Sequence, residues 1–118
     1  MAVSARVVGD VTVLEVSGQF TGGDETDQLR NAILAEASQG NMRLVLDLSG
    51  CRWMNSSGIS VLVEAYRNYA GRHAEIKLCG LQPRIINQLA TVRLITLLGS
   101  YPTVDEAIAA FTPSRSEA

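Results

Sequence analysis

Residues 53–71, WMNSSGISVLVEAYRNYAG, fit two secondary structures. Ile59, Val61 and Val63 alternate as in a strand, whereas Ile59, Leu62, Val63, Tyr66 and Ala70 recur at helical spacing. The pattern continues for about 15 residues to Gly71, and strands usually stop at 4–8, so its length predicts a helix. Glu64, Arg67 and Asn68 then fall on the opposite, polar face. Asn55 stands at the N-cap position, and Ser56, Ser57 and Gly58 occupy the first turn, where backbone N–H groups lack intrahelical partners.

Upstream, residues 43–48 (RLVLDL) form a short, nearly continuous apolar run, the pattern of a central strand covered on both faces. SGCRWMN at 49–55 reads as its connection to the helix. Before it, Leu29, Ile33 and Ala37 make a helical stripe that Asp24 or Thr26 can cap and Gly40 can end. The β-branched residues 11–17 and the run 5–8 flank Gly9-Asp10, a hairpin turn. Gly18 closes the second strand, and GQFTGGD reads as a loop. Downstream, residues 75–79 (EIKLC) alternate as a strand, and a third helix starts at 80–83 with Ile86 and Leu89 on its buried side. LITLLG at 94–99 reads as a fifth strand. Thr103 and Glu106 make a capping box for a last helix, with Val104, Ala107, Ile108 and Phe111 on one face. The predicted order is β-β-α-β-α-β-α-β-α: an α/β fold with a mixed five-stranded sheet, mostly parallel after the opening hairpin, and about four helices. Leu44, Leu46, Ile59, Leu62, Ile76, Leu78 and Ile108 are the expected core, and Trp53 reads as a packing anchor.

In parallel sheets, sites gather where strand carboxyl ends feed helix amino ends, which singles out Asn55-Ser56-Ser57-Gly58. Well-capped packing is one use of such a segment, and replacing an Asn cap by Ala costs about 1 kcal/mol. Nucleophilic catalysis would need a base within hydrogen-bond reach. The only histidine, His73, lies beyond the far end of the same helix, and no G-x-S-x-G elbow surrounds either serine. TGGDET and NSSGIS place glycines near helix starts, but neither has a P-loop lysine or G-x-G-x-x-G spacing. Covalent modification fits better. A phosphate in the first turn adds about −1.5 to −2 charges at the helix end that favours anions, so the surface changes while the fold persists.

Composition bounds the rest. The 118 residues fit one compact domain, expected over 1–112, with a solvated tail at 113–118. A hydrophobic fraction of 47% and a charged fraction of 19% mark a globular chain. The net charge of −2 gives no electrostatic footprint for direct nucleic-acid binding. No apolar run reaches the length of a membrane span, and no secretory signal is visible, so the expected location is cytoplasmic. Cys51 and Cys79 have no CxxC or metal-ligand spacing and are expected to be free thiols, each following a strand. The residues themselves suggest no metal or cofactor.

The strand, short loop, Asn-Ser-Ser-Gly and apolar helix over residues 44–66 resemble the STAS family of bacterial anti-sigma factor antagonists and their relatives. The resemblance covers roughly residues 5–111, including both leading strands, Gly18 and the segment IKLCGLQPRIINQLATVRL. It implies a non-catalytic antagonist that binds an anti-sigma factor with serine/threonine kinase activity. That kinase would supply ATP and magnesium and phosphorylate Ser56, and a PP2C-type phosphatase would reverse the mark. Thr21, Asn55, Ser57, Gly58 and Ile59 then become partner-binding residues. The resemblance also admits a STAS subunit of a stressosome-like scaffold or of a membrane lipid-transport complex. Two positions depart from the family pattern: Asn55 replaces an Asp, and Thr21 stands where a second acid is usual. Both changes predict a less acidic partner surface.

Overall fold

A computed structural model describes residues 3–91 and 93–111; the expected tail at 113–118 lies outside them. The five strands are β1 (Val3–Val8), β2 (Val11–Phe20), β3 (Arg43–Met54), β4 (Glu75–Cys79) and β5 (Ser100–Tyr101). The helices are α1 (Asp24–Ser38), α2 (Ser56–Gly71), α3 (Pro83–Thr91), α4 (Leu94–Leu98) and α5 (Val104–Ala109). The strands lie side by side in sequence order, with β1 antiparallel to β2 and every later pair parallel. The mixed sheet expected from the sequence is therefore present, with one helix more.

The opening hairpin forms as its sequence predicts, with Val8 opposite Val11 and Gly9 at φ 63° making the turn. Right-handed crossovers that always advance in one direction keep their helices on one face of a sheet. Here α1 to α4 share a core with Leu14, Leu44, Leu46 and Leu78. Among the described residues the other face is covered by Ala107 of α5 and by Phe111 just after it, against Val13, Val45 and Cys79. Cys51 belongs to the first core and Cys79 to the second, so the thiols are buried in separate layers. Burial pushes Cys51 up to about 11 and Cys79 up to about 12, the latter with help from the charge of Asp47, so both remain unreactive thiols.

Several boundaries differ from the sequence reading. β2 does not stop at Gly18 and β3 does not stop at Leu48: they pair on, with Gly18 beside Cys51 and Phe20 beside Met54, through two register shifts. LITLL is a helix, because Leu94 and Leu98 at i, i+4 both reach the core while Leu97 stays exposed. Ile85, not Ile86, faces inward from α3 beside Leu89. Ile59 and Ile108 are half-buried at the core margins. On α2 the buried stripe is Gly58, Val61, Leu62, Ala65 and Tyr69, one position before the predicted one throughout, so that Leu62 alone is common to both.

Candidate functional site

The longer β2 and β3 carry the chain to one end of the molecule, where α2 begins. Gly58 is buried there, and a Cβ on it would lie 2.8 Å from Met54 Cβ, 2.8 Å from Phe20 O and 3.0 Å from Phe20 Cβ. The amino end of α2 is thus seated directly on the two strand ends. Only a residue without a side chain permits that approach.

Asn55 fixes the entry of the helix. Its backbone N–H donates to Phe20 O at 3.1 Å, and its Oδ1 accepts from the Ser57 N–H at 2.9 Å. Its Nδ2 donates to Thr21 O at 3.2 Å, tying the β2–α1 loop to the mouth of α2. An aspartate would keep the cap, lose this donor and set a carboxylate against the Thr21 carbonyl. Asn55→Ala is expected to cost about 1–2 kcal/mol through the lost cap. Asn55→Asp should cost less overall but expose the amides at 21–23 to faster hydrogen exchange. Unchanged exchange at 21–23 in Asn55→Asp would show that the Thr21 tie contributes nothing.

Ser56 is the first residue of α2 and is exposed. Among the described residues its hydroxyl has no hydrogen-bond partner; only its carbonyl is engaged, accepting from the Ser60 hydroxyl at 2.8 Å. Ser57 is half-buried, and its Oγ lies 3.2 Å from where a Cβ on Gly22 (φ 103°) would sit. Thr21 is exposed, Asn55 and Ile59 are half-buried, and Ile59 packs on the core margin. Of the six residues singled out in the sequence, Gly58 differs: its burial makes it a packing element under the mouth, not a contact on its surface.

The surroundings explain what the mouth can do. His73 follows α2 at its other end with φ 58°, and a helix of 16 residues spans about 24 Å, so the imidazole is remote from Ser56. The first turn of α1 contains Asp24, Glu25 and Asp27, and its N-cap Gly23 provides no side-chain cap. Those carboxylates repel anions, which removes TGGDET as a phosphate cradle. They also restore acidity beside a mouth that Asn55 and Thr21 alone would leave neutral. The Glu25 carboxylate lies over Gly18, whose φ of 111° is in the left-handed region that favours glycine. The sequence reading missed Asp24, Glu25 and Asp27 as part of this surface, because their proximity depends on how far β2 extends.

Trp53 is 36% exposed instead of anchoring the core, and the Arg84 guanidinium lies over its ring at 5.6 Å from the centroid. Gln88 Nε2 donates to Met54 O at 2.6 Å and Gln82 Nε2 to Ser49 O at 2.9 Å, so the α3 segment clasps the end of β3 at two points. Among the described residues no group of three or more His, Cys, Asp or Glu side chains can hold a metal ion, and no helix is long and apolar enough to cross a membrane.

Comparison with known proteins places this geometry in a family. A sequence search of curated proteins finds no match. Among solved structures, an anti-sigma factor antagonist from Mycobacterium paratuberculosis is 26% identical, with a TM-score of 0.81 over 92% of this chain and 91% of that one. The Bacillus cell fate determinant SpoIIAA in its phosphorylated form is 19% identical, with a TM-score of 0.74 over 92% of this chain and 97% of that one. The fold also occurs within a larger protein: the murine Slc26a9 anion transporter is 16% identical, with a TM-score of 0.73 over 88% of this chain but 18% of the transporter. The STAS domain model matches residues 2–107, nearly the whole described chain, and by that match this protein belongs to the STAS domain family.

Proposed function

We propose that this chain is an anti-sigma factor antagonist that binds a serine-kinase-type anti-sigma factor and loses that affinity when Ser56 is phosphorylated. The observation that carries the reading is the exposed Ser56 hydroxyl, unengaged at the mouth of a helix whose cap is supplied by Asn55. Because the hydroxyl holds no structural bond, esterifying it leaves the cap and the seat of Gly58 intact. The new dianion sits at the favourable end of the α2 dipole. A partner packed over Thr21, Asn55, Ser57 and Ile59 must then desolvate or repel that charge. The chain itself performs no catalysis: the kinase brings ATP and magnesium, and a PP2C-type phosphatase restores the hydroxyl. This places the cycle in the cytoplasm and its output in sigma-factor-dependent transcription. Further support comes from the solved antagonists of the same fold, one of them a phosphorylated form.

The test incubates the purified chain with ATP and kinase-type anti-sigma factors from the same organism, then maps phosphate by mass spectrometry. One phosphate at Ser56 is expected, and none in Ser56→Ala. Ser56→Ala should bind the partner as the native chain does, and Ser56→Asp at least tenfold more weakly. A STAS unit can also serve as a fixed part of a larger assembly, as its place within the murine transporter illustrates. Equal binding by Ser56→Ala and Ser56→Asp would favour that second reading, with scaffold or transporter genes as neighbours.

A further inference from the structure

We infer that Trp53 and Arg84 form a second contact for the same partner, an aromatic platform with an adjacent cation that receives an aliphatic side chain flanked by a carboxylate. This rests on the antagonist reading and specifies how the partner is oriented on it. Trp53 is 36% exposed in the last paired stretch of β3, just before Met54 and the Asn55 cap, so the platform lies on the strand end that delivers Ser56. Among the described residues Arg84 has no carboxylate partner; its guanidinium is engaged with the indole at 5.6 Å. A surface aromatic usually loses side-chain freedom on binding, which weakens association. Here the strand that carries the ring is held and one face of the ring is occupied. The glutamines of the α3 segment grip the β3 carbonyls on either side of Trp53, at Ser49 and Met54, and Arg84 covers its ring. A half-exposed tryptophan beside an arginine matches the composition of binding hot spots.

Charge supplies the orientation. On the α1 side of the mouth stand Asp24 and Glu25, with Asp27 held by Arg30 at 3.2 Å, and on the α3 side stands Arg84. A partner seated across Ser56 therefore meets negative charge at one flank and positive charge at the other. Electrostatic complementarity of this kind fixes register and excludes partners with the reverse polarity. The matching surface carries bases opposite α1, and a carboxylate beside an aliphatic side chain opposite Trp53.

Trp53 is the single tryptophan of the chain, which gives the test a direct probe. The full chain, labelled with 5-fluorotryptophan, is titrated with the unlabelled kinase-type anti-sigma factor that phosphorylates Ser56, and its one fluorine resonance is followed. Affinities of Trp53→Ala, Trp53→Phe and Arg84→Glu are measured in parallel, with circular dichroism as a check on folding. Expected are a shifted resonance in the complex and binding at least tenfold weaker for Trp53→Ala and Arg84→Glu. Trp53→Phe, which keeps a ring, should lose only a few-fold. An unmoved resonance together with affinities within twofold of native, while Ser56 is still phosphorylated, overturns the platform and leaves the antagonist reading standing. Failure of any such partner to bind or phosphorylate the native chain overturns both.

Discussion

Phe20→Ala is expected to lower the free energy of unfolding by about 3–5 kcal/mol, the usual cost of deleting a buried aromatic side chain. Phe20 is fully buried at the last position of β2, opposite Met54, in the layer that also holds Leu62 and Ile85. Deleting the ring opens a cavity beneath the amino end of α2, between the strand ends and the helix. Urea denaturation should show a lower midpoint with an unchanged slope, and the melting temperature should fall by roughly 10–20 °C. A loss under about 1 kcal/mol would mean that β2 ends at Gly18 in solution and that residues 19–21 are a mobile loop.

Gly58→Ala tests the same junction from the helix side, and here two effects of opposite sign compete. Alanine in place of glycine inside an exposed helix gains about 1 kcal/mol of propensity. At Gly58 the added methyl would sit 2.8 Å from a backbone carbonyl, Phe20 O, which has no rotamer by which to withdraw. Overpacking of this sort costs about 1–3 kcal/mol or more, so net destabilisation is the expected result, accompanied by displacement of Asn55 and Ser56. Phe20→Ala in the same chain should not relieve it, because the conflicting carbonyl and Cβ of residue 20 survive the substitution. A Gly58→Ala variant more stable than the native chain would show that α2 is not seated on Phe20.

The same junction shows how far a single sequence can be read. The hairpin, the α1 stripe of Leu29, Ile33 and Ala37, the Asn55 cap and the Thr103 cap were all legible, because each depends on local periodicity or turn chemistry. The continuation of β3 to Met54 was not. Cys51 is buried, Arg52 and Trp53 are both exposed, and Met54 is buried, a pattern that breaks strict alternation. What makes those residues a strand is pairing with β2, a partner more than 30 positions earlier, across register shifts that no local window reveals. LITLL failed for a different reason: five apolar residues suit either period, and only the core-facing pair Leu94 and Leu98 settles it. The candidate site rests on motif and resemblance. Its neighbours were not legible in that way, since Arg84 meets Trp53, and Glu25 meets Gly18, only through tertiary structure.

The uniform direction in which the strands are wound bears on how this surface can be blocked. Sheets whose helices diverge to opposite faces open a cleft for small ligands where the winding reverses. With α1 to α4 kept together on one face, Ser56 stands exposed at the start of α2 and not in a cleft of that kind. A synthetic competitor has to cover an exposed helix start instead of filling such a cleft, which favours macrocycles and stapled peptides over compact heterocycles.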